Sequence, residues 1–206
     1  ICDNGACLVA GEEIVQRRLM APADVQKIVQ TCAGLPGVRL VLCGVHGSYH
    51  AASEPDYHSE IAKYYVNQQI IEDFARIDDD IYKIALLDLH GPAEHALPAL
   101  QAAFGDRLTM LVSGSIWMDI MDTGVDKGTG LRFFQQKWGI TPAETMAFGD
   151  YFNDVAMFQY ADYSFAMENG HPDICPMARY LAASNREGGV IQAIRKFALN
   201  GEGLTR

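Results

Sequence analysis

Residues 145–154 read Thr-Met-Ala-Phe-Gly-Asp-Tyr-Phe-Asn-Asp, so two carboxylates four positions apart follow directly on a short apolar run. A strand buried on both faces reads as a continuous apolar run rather than an alternating one. The stretch therefore predicts a buried strand, a tight turn at Gly149-Asp150 and a helix start. Asn153 or Asp154 would be the N-cap of a helix over roughly 154–160. In open α/β sheets ligands gather outside the carboxyl ends of the strands. Asp150 would then project where such folds do chemistry. Two carboxylates with an amide between them suit a hard cation and an anionic ligand. The same spacing also fits an Asp in a turn followed by an ordinary Asx cap.

A chain of 206 residues has room for one large or two small domains. Its formal net charge is −10. A nucleic-acid binder held by phosphate contacts needs a basic face, so the charge argues against that class and no nucleic-acid partner is expected. A small phosphorylated substrate is not, because one or two local cations and a metal can hold it. The five cysteines (Cys2, Cys7, Cys32, Cys43 and Cys175) are scattered and form no C-x-x-C pair. They are expected to be reduced, mostly buried thiols of a cytoplasmic protein. No apolar run approaches the length that spans a bilayer, so no membrane partner is expected. Oligomeric state is left open.

Taken in order, Cys7–Ala10 and Ile14–Leu19 predict a hairpin, and apolar spacing over 22–32 predicts a helix ended by Gly34-Leu35-Pro36-Gly37. Val38–Val45 is a strongly apolar strand, followed by a turn at 46–50 and a partner strand. Residues 55–74 read as helical pieces, and Asp78-Asp79-Asp80 as a solvated loop. Ile81–Asp88, Leu108–Ser113 and Trp117–Met121 are strands, with a helix over Pro92–Phe104. A helix then runs to about Lys137 with Leu131, Phe134 and Trp138 on one face. Lys127 stands at its N-terminal end, where a cation opposes the macrodipole by roughly 0.3–1 kcal/mol. A residue placed against its local preference is a reason to look for function. Beyond the 145–154 stretch come a strand at Tyr163–Met167, a helix at Asp173–Tyr180, a short strand at Tyr180–Ala183 and a closing helix at Gly188–Leu199. The β-α-β-α rhythm from 117 to 199 predicts a parallel sheet with helices on its faces.

Four segments fall in order: Val125-Asp126-Lys127-Gly128-Thr129-Gly130, Gly149-Asp150-Tyr151-Phe152-Asn153-Asp154, Ala166-Met167-Glu168-Asn169-Gly170, and Ala183-Ser184-Asn185-Arg186-Glu187-Gly188-Gly189-Val190. Their spacing resembles the C-terminal half of a haloacid dehalogenase-superfamily phosphatase of the Cof type (subfamily IIB). Asn4-Gly5-Ala6 resembles the segment leading from core to cap in that family. The resemblance implies an α/β fold: a partial Rossmann-like core with a parallel sheet, plus an inserted α/β cap domain. Residues 1–19 would be a core remnant and linker, 20–112 the cap that sets specificity, and 113–206 the C-terminal half of the core. It further implies a Mg2+-dependent phosphomonoester hydrolase of small phosphorylated metabolites, sugar phosphates among them, working through an aspartyl-phosphate. By that match Asp150 completes the Mg2+ shell. Lys127 is catalytic and offsets charge on the phosphoryl group. Asn153 lies near the transferred phosphate. Asp154 is catalytic as the second acid, in the outer shell or paired with the lysine.

The departures from the family pattern set expectations of their own. The family's N-terminal Asp-x-Asp-x-Thr nucleophile and the Ser or Thr of its second motif have no counterpart here. Asp119-Ile120-Met121-Asp122-Thr123 imitates the nucleophile motif with its acids three apart rather than two, and is rejected. The sequence is therefore expected to be a fragment of a longer protein and inactive by itself. Cys175 stands where the family often has lysine, and Gly170 where alanine is usual, a change expected to matter little. In the cap, His46, Tyr49, His50, Tyr57 and His58 are the polar-aromatic candidates for substrate contact. Two other readings remain: a catalytically silent fragment or small-ligand binding module, and a phosphomutase on the same scaffold.

Overall fold

The computed structural model describes residues 1–199, so residues 200–206 of the expected core segment lie outside the described residues. The chain divides into two compact units, one ending at Asp126 and the other beginning at Lys127. The expected linker 1–19 and the expected cap span 20–112 both lie within the first unit.

The first unit opens with the hairpin β1 (Cys7–Ala10) and β2 (Glu13–Arg17), then α1 (Pro22–Ala33), β3 (Val38–Gly44), β4 (Ser48–Ala51), α2 (Pro55–Ala62) and β5 (Gln68–Ile71). β6 (Ile81–Asp88), α3 (Ala96–Phe104), β7 (Leu108–Val112) and β8 (Trp117–Asp122) complete it. Six of these strands form one sheet in the order β5-β4-β3-β6-β8-β7. Only the β4–β5 pair in it is parallel. The centre of this sheet is buried on both sides, which is why β3 and β6 are largely apolar, interrupted only by Arg39 and by Lys83 and the terminal Asp88, although they pair antiparallel. Alternation still sorts the side chains. Leu40, Leu42, Ile84, Leu86, Met118 and Ile120 pack on one face with Ile28 and Cys32 of α1 and Leu100 and Phe104 of α3. Val41, Cys43, Ala85 and Leu87 point to the other, against Ile61 of α2.

Three sequence expectations fail in this unit. Trp117–Met121 was expected to open the parallel sheet; instead β8 is antiparallel to both β6 and β7. Four residues separate β7 from β8, and the Ser113 amide donates to the Trp117 carbonyl at 3.0 Å. That connection makes a hairpin, whereas a parallel neighbour needs a crossover of a dozen residues or more. Residues 55–74 are not all helical, since Gln68–Ile71 pairs with β4. Asp79 is no solvated bystander: it accepts from the Val45 and His46 amides at 3.0 and 2.9 Å and from the Tyr49 hydroxyl at 2.9 Å. Burial pushes its pKa up, but these donors outweigh burial and hold the carboxyl below the ordinary range.

The second unit contains α4 (Lys127–Trp138), β9 (Met146–Gly149), α5 (Val155–Phe158), β10 (Tyr163–Met167), β11 (Tyr180–Ala182) and α6 (Gly189–Ala193), the last continuing as a π-helical stretch over Ile194–Leu199. Its three strands are parallel, in the order β11-β10-β9. Phe165, Met167 and Ala182 pack with Ala193, Phe148 and Tyr180 on one face. Ala147, Phe158 and Leu131 pack on the other. On α4 the expected apolar face is only partly right. Trp138 is 56% exposed. Gln135 is buried instead, donating to Thr145 Oγ1 at 2.8 Å and to the Tyr160 carbonyl at 2.7 Å. The expected helix over Asp173–Tyr180 reduces to a 3-10 stretch, Pro172–Met177, because Pro176 cannot donate to a continuing helix.

Removing Asp79 leaves two backbone donors unsatisfied at the β3–β4 turn. Asp79→Ala is expected to cost about 1–3 kcal/mol of unfolding free energy in urea titrations. Because the folded-state pKa is depressed, this stabilisation is present above the unfolded carboxyl value and is lost as pH falls through the folded one. The gap between wild type and variant should therefore narrow below about pH 4.

Candidate active site

β9 ends at Gly149, and the chain turns immediately, so Asp150 stands at the carboxyl end of a parallel strand as the sequence predicts. The Asp150 side reaches the surface, while Asp154 is buried at 5% exposure. The two carboxylates have different work in the structure. Asp154 was expected to be a possible helix N-cap, but its side chain makes no cap bond to α5. Instead Oδ1 meets Lys127 Nζ at 2.5 Å, and Oδ2 accepts the Asp150 amide at 3.0 Å. The other expected cap, Asn153, lies inside the 3-10 turn Phe152–Asp154. The Asp154 amide itself donates to the Tyr151 carbonyl at 3.0 Å, which closes the turn.

Lys127 is the first residue of α4. Its ammonium lies near the positive end of the helix dipole, and the buried Asp154 carboxylate neutralises it. Lys127, Asp150 and Asp154 are thus brought together in one unit from three elements. Glycine makes this packing possible. A Cβ on Gly149 would lie 2.4 Å from Asp154 Cβ and 2.9 Å from Phe158 Cζ. Any side chain there would push Asp154 away from both of its partners.

Partial burial raises the Asp150 carboxyl above the ordinary range, and repulsion from Asp154 adds to the shift, while Lys127 acts in the opposite direction. A carboxylate that is costly to ionise beside a second acid is one that a cation would relieve. The donor set fits Mg2+, which takes one or two carboxylates and fills the rest of its shell with water and phosphate oxygens. Among the described residues no three His, Cys, Asp or Glu side chains converge to form a metal site by themselves.

Sequence reasoning missed the strand-end contact of His171. Its amide donates to the Asp150 carbonyl at 2.8 Å, tying the loop after β10 to the turn after β9. Gly170 also matters more than expected. A Cβ there would meet the Asp150 carbonyl oxygen at 2.8 Å and Asp150 Cα at 2.9 Å. The Asn169-Gly170 turn was legible as a turn, but its approach to Asp150 was not. Cys175, expected to change the charge near the site, directs its thiol at the His171 carbonyl at 4.0 Å. Of the cap candidates, Tyr49 and His50 are buried. Tyr49 serves Asp79, and His50 contacts the Ala51 carbonyl and Gln68 Oε1. Tyr57 packs beneath the Arg39 guanidinium, His46 is exposed, and His58 lies 5.9 Å from the His50 ring. Asp119, rejected as a nucleophile, is held by Lys83 at 3.3 Å and by the Asn4 amide at 2.7 Å.

Comparison with known proteins gives this geometry a family. The profile of haloacid dehalogenase-like hydrolases matches residues 1–194, and the chain belongs to that family. It is 30% identical over 198 residues to the 5-amino-6-(5-phospho-D-ribitylamino)uracil phosphatase YbjI of Escherichia coli, covering 95% of this chain and 73% of that protein. Among solved structures it resembles SMU.1108c from Streptococcus mutans, with a TM-score of 0.87 at 24% identity over 95% of this chain and 75% of the other. It also resembles the HAD subclass IIB sugar phosphatase BT4131, with a TM-score of 0.79 at 20% identity over 95% and 74% of the two chains. These structural likenesses establish the fold: α/β, of the haloacid dehalogenase type. No helix among the described residues is long and apolar enough to cross a membrane.

Asp154→Ala removes a buried acceptor from both an ammonium and an amide. It is expected to lower the unfolding free energy by about 3 kcal/mol, since an ion pair broken on one side strands the other charge. Lys127→Met strands the buried Asp154 carboxylate in turn and should cost a comparable amount. Near-wild-type stability of either variant, read from chemical denaturation, would contradict the ion pair.

Proposed function

We propose that this chain is the cap-bearing and metal-binding part of a Mg2+-dependent phosphatase of small phosphorylated metabolites, sugar and polyol phosphates among them. The observation that carries the reading is the cluster at the end of β9, where Asp154 holds both the Lys127 ammonium and the Asp150 backbone. Family membership and the 30% identity to a phosphatase of a phosphorylated ribityl compound support it.

In this reading Asp150 is the metal ligand that residues 127–199 contribute. Bound Mg2+ would supply charge neutralisation on the phosphoryl oxygens. Lys127 Nζ presents a fixed cation to the same oxygens, and it does so without reorganisation because Asp154 holds it in place. Asp154 acts through Lys127 and through the Asp150 amide rather than by touching substrate. Asn153, on the turn between the two acids, offers an amide to the phosphate. None of these residues is the attacking carboxylate in this reading; they bind, orient and stabilise the phosphoryl group. In this reading the specificity-setting cap lies in the first unit, which contains the expected span 20–112 and extends past it through β8.

The test uses the full-length protein. With Mg2+ it is expected to release phosphate from members of a panel of small phosphomonoesters. Asp150→Asn should lower Mg2+-dependent turnover by about 100-fold or more. It should also abolish the heat of Mg2+ binding in calorimetry. Wild-type turnover and Mg2+ binding in that variant would remove Asp150 from the metal site.

A further inference from the structure

Cys2 and Cys7 stand directly opposite one another at the start of the first unit, paired in an antiparallel bridge just ahead of β1. The Cys2 amide donates to the Cys7 carbonyl at 2.8 Å, and the Cys7 amide returns a bond to the Cys2 carbonyl at 3.4 Å. Residues that exchange both backbone bonds have Cα atoms about 5.5 Å apart and side chains on one face of the ladder. Disulfides span Cα separations of about 4.4–6.8 Å, so the two thiols stand within bonding range.

The turn that joins them is held from three sides. Asp3, Asn4 and Gly5 take φ angles of 47°, 52° and 99°, and Asp3 and Asn4 are the only non-glycine residues with positive φ among the described residues. That unfavourable backbone is anchored by the first unit's sheet. Lys83 Nζ lies 2.8 Å from Asp3 Oδ1, and Asn4 Nδ2 donates to Asp119 Oδ2 at 2.7 Å. A Cβ on Gly5 would lie 2.1 Å from the Asp126 carbonyl oxygen, so the turn packs backbone against backbone. The fold itself therefore brings Cys7 back to Cys2, and the closure that a disulfide would otherwise have to impose is already made.

The two thiols differ in access. Cys2 is exposed, whereas Cys7 is 7% exposed. The other cysteines are not placed to compete. Cys32 and Cys43 pack in separate core clusters, and burial pushes both thiols up to about 12. Cys175 belongs to the second unit.

We propose that Cys2 and Cys7 are a site of reversible thiol–disulfide modification by a low-molecular-weight disulfide such as glutathione disulfide. The Cys2 sulfur, having lost its proton, attacks one sulfur of the oxidant. The oxidant's S–S bond breaks, and the first glutathione leaves and takes up a proton. Cys7 then gives up its proton and attacks the Cys2 sulfur of the mixed disulfide, expelling the second glutathione as its thiol. Two protein sulfurs are oxidised and two glutathione sulfurs are reduced. The second attack is internal, so Cys7 needs no solvent access of its own. Side chains of a hydrogen-bonded pair stand wider apart than the roughly 3.5–4.5 Å between the Cβ atoms of a disulfide. The bond must draw the two segments together, and the resulting strain makes it readily reduced. The site is independent of whether the second unit takes part in phosphate hydrolysis.

No Lys or Arg lies between Cys2 and Arg17, so trypsin leaves both cysteines in one peptide. The full-length protein is incubated with glutathione disulfide, denatured, alkylated and digested. The peptide should then be two hydrogens lighter than its reduced form and carry no alkyl group, while Cys32 and Cys43 are recovered alkylated. Cleavage before Asp3 should give two fragments that separate only on reduction, and excess reduced glutathione should restore both thiols. Cys7→Ala should stop at the mixed disulfide and retain one glutathione on Cys2. If that variant fails to fold, Cys2→Ser, at an exposed position, should leave Cys7 unmodified under the same treatment. The proposal is overturned if the parent peptide keeps two free thiols, if glutathione remains on Cys2 in the parent, if Cys7 is joined to a different cysteine, or if Cys7 is modified equally in Cys2→Ser.

Discussion

The Asp154 carboxylate performs two tasks with its two oxygens, and much of the second unit is arranged around that fact. One oxygen neutralises an ammonium placed at the unfavourable end of a helix. The other holds the amide of the residue expected to bind metal. Neither task is possible unless position 149 lacks a side chain, because a Cβ would occupy the space of the Asp154 Cβ. The Gly-Asp-x-x-x-Asp pattern is therefore one mechanical unit: the glycine admits the second acid, the second acid fixes the backbone of the first, and the first is left facing outward. An exposed carboxylate with a fixed backbone and a buried carboxylate with fixed partners are different reagents, although the sequence spells both as aspartate.

This explains which parts of the site could be read in advance. Asp150 at the end of a strand follows from the apolar run Met146–Phe148 and the break at Gly149, both visible in sequence. The Lys127–Asp154 pair was accessible only as one option for Asp154, since nothing local distinguishes a capping aspartate from one that reaches back across a turn. The family resemblance supplied that option. Gly170 and His171 were out of reach because their role lies in a backbone contact with Asp150, and a backbone contact leaves no mark on residue type.

The fold shows the same division. Strands 38–44, 81–88, 146–149 and 163–167 are apolar runs whose identity no tertiary context alters. The parallel sheet was placed correctly from β9 onward and wrongly at β8. The error came from reading rhythm without weighing the length of the 113–116 connection. Trp138 left its expected buried place, its indole stacking on Phe134 while largely exposed, and the Gln135 amide is buried instead where it satisfies two oxygens. Pro176 should have shortened the predicted helix at 173–180, since a proline in its interior removes a donor wherever the helix is packed.

The pairing of β3 with β6 has a consequence for how the first unit forms. These two strands are neighbours at the centre of the sheet, yet α1 precedes them and β4, α2 and β5 all lie between them in the chain. Neither face of the sheet can be filled until they meet, because each contributes to both layers. The intervening segment must close as a loop before most of its apolar surface is rewarded, and the β3–β4 hairpin alone offers little to hold it. Assembly of this unit is accordingly governed by a search over sequence distance rather than by helix formation. On a ribosome, β3 would wait with its apolar sides uncovered until β6 had been synthesised.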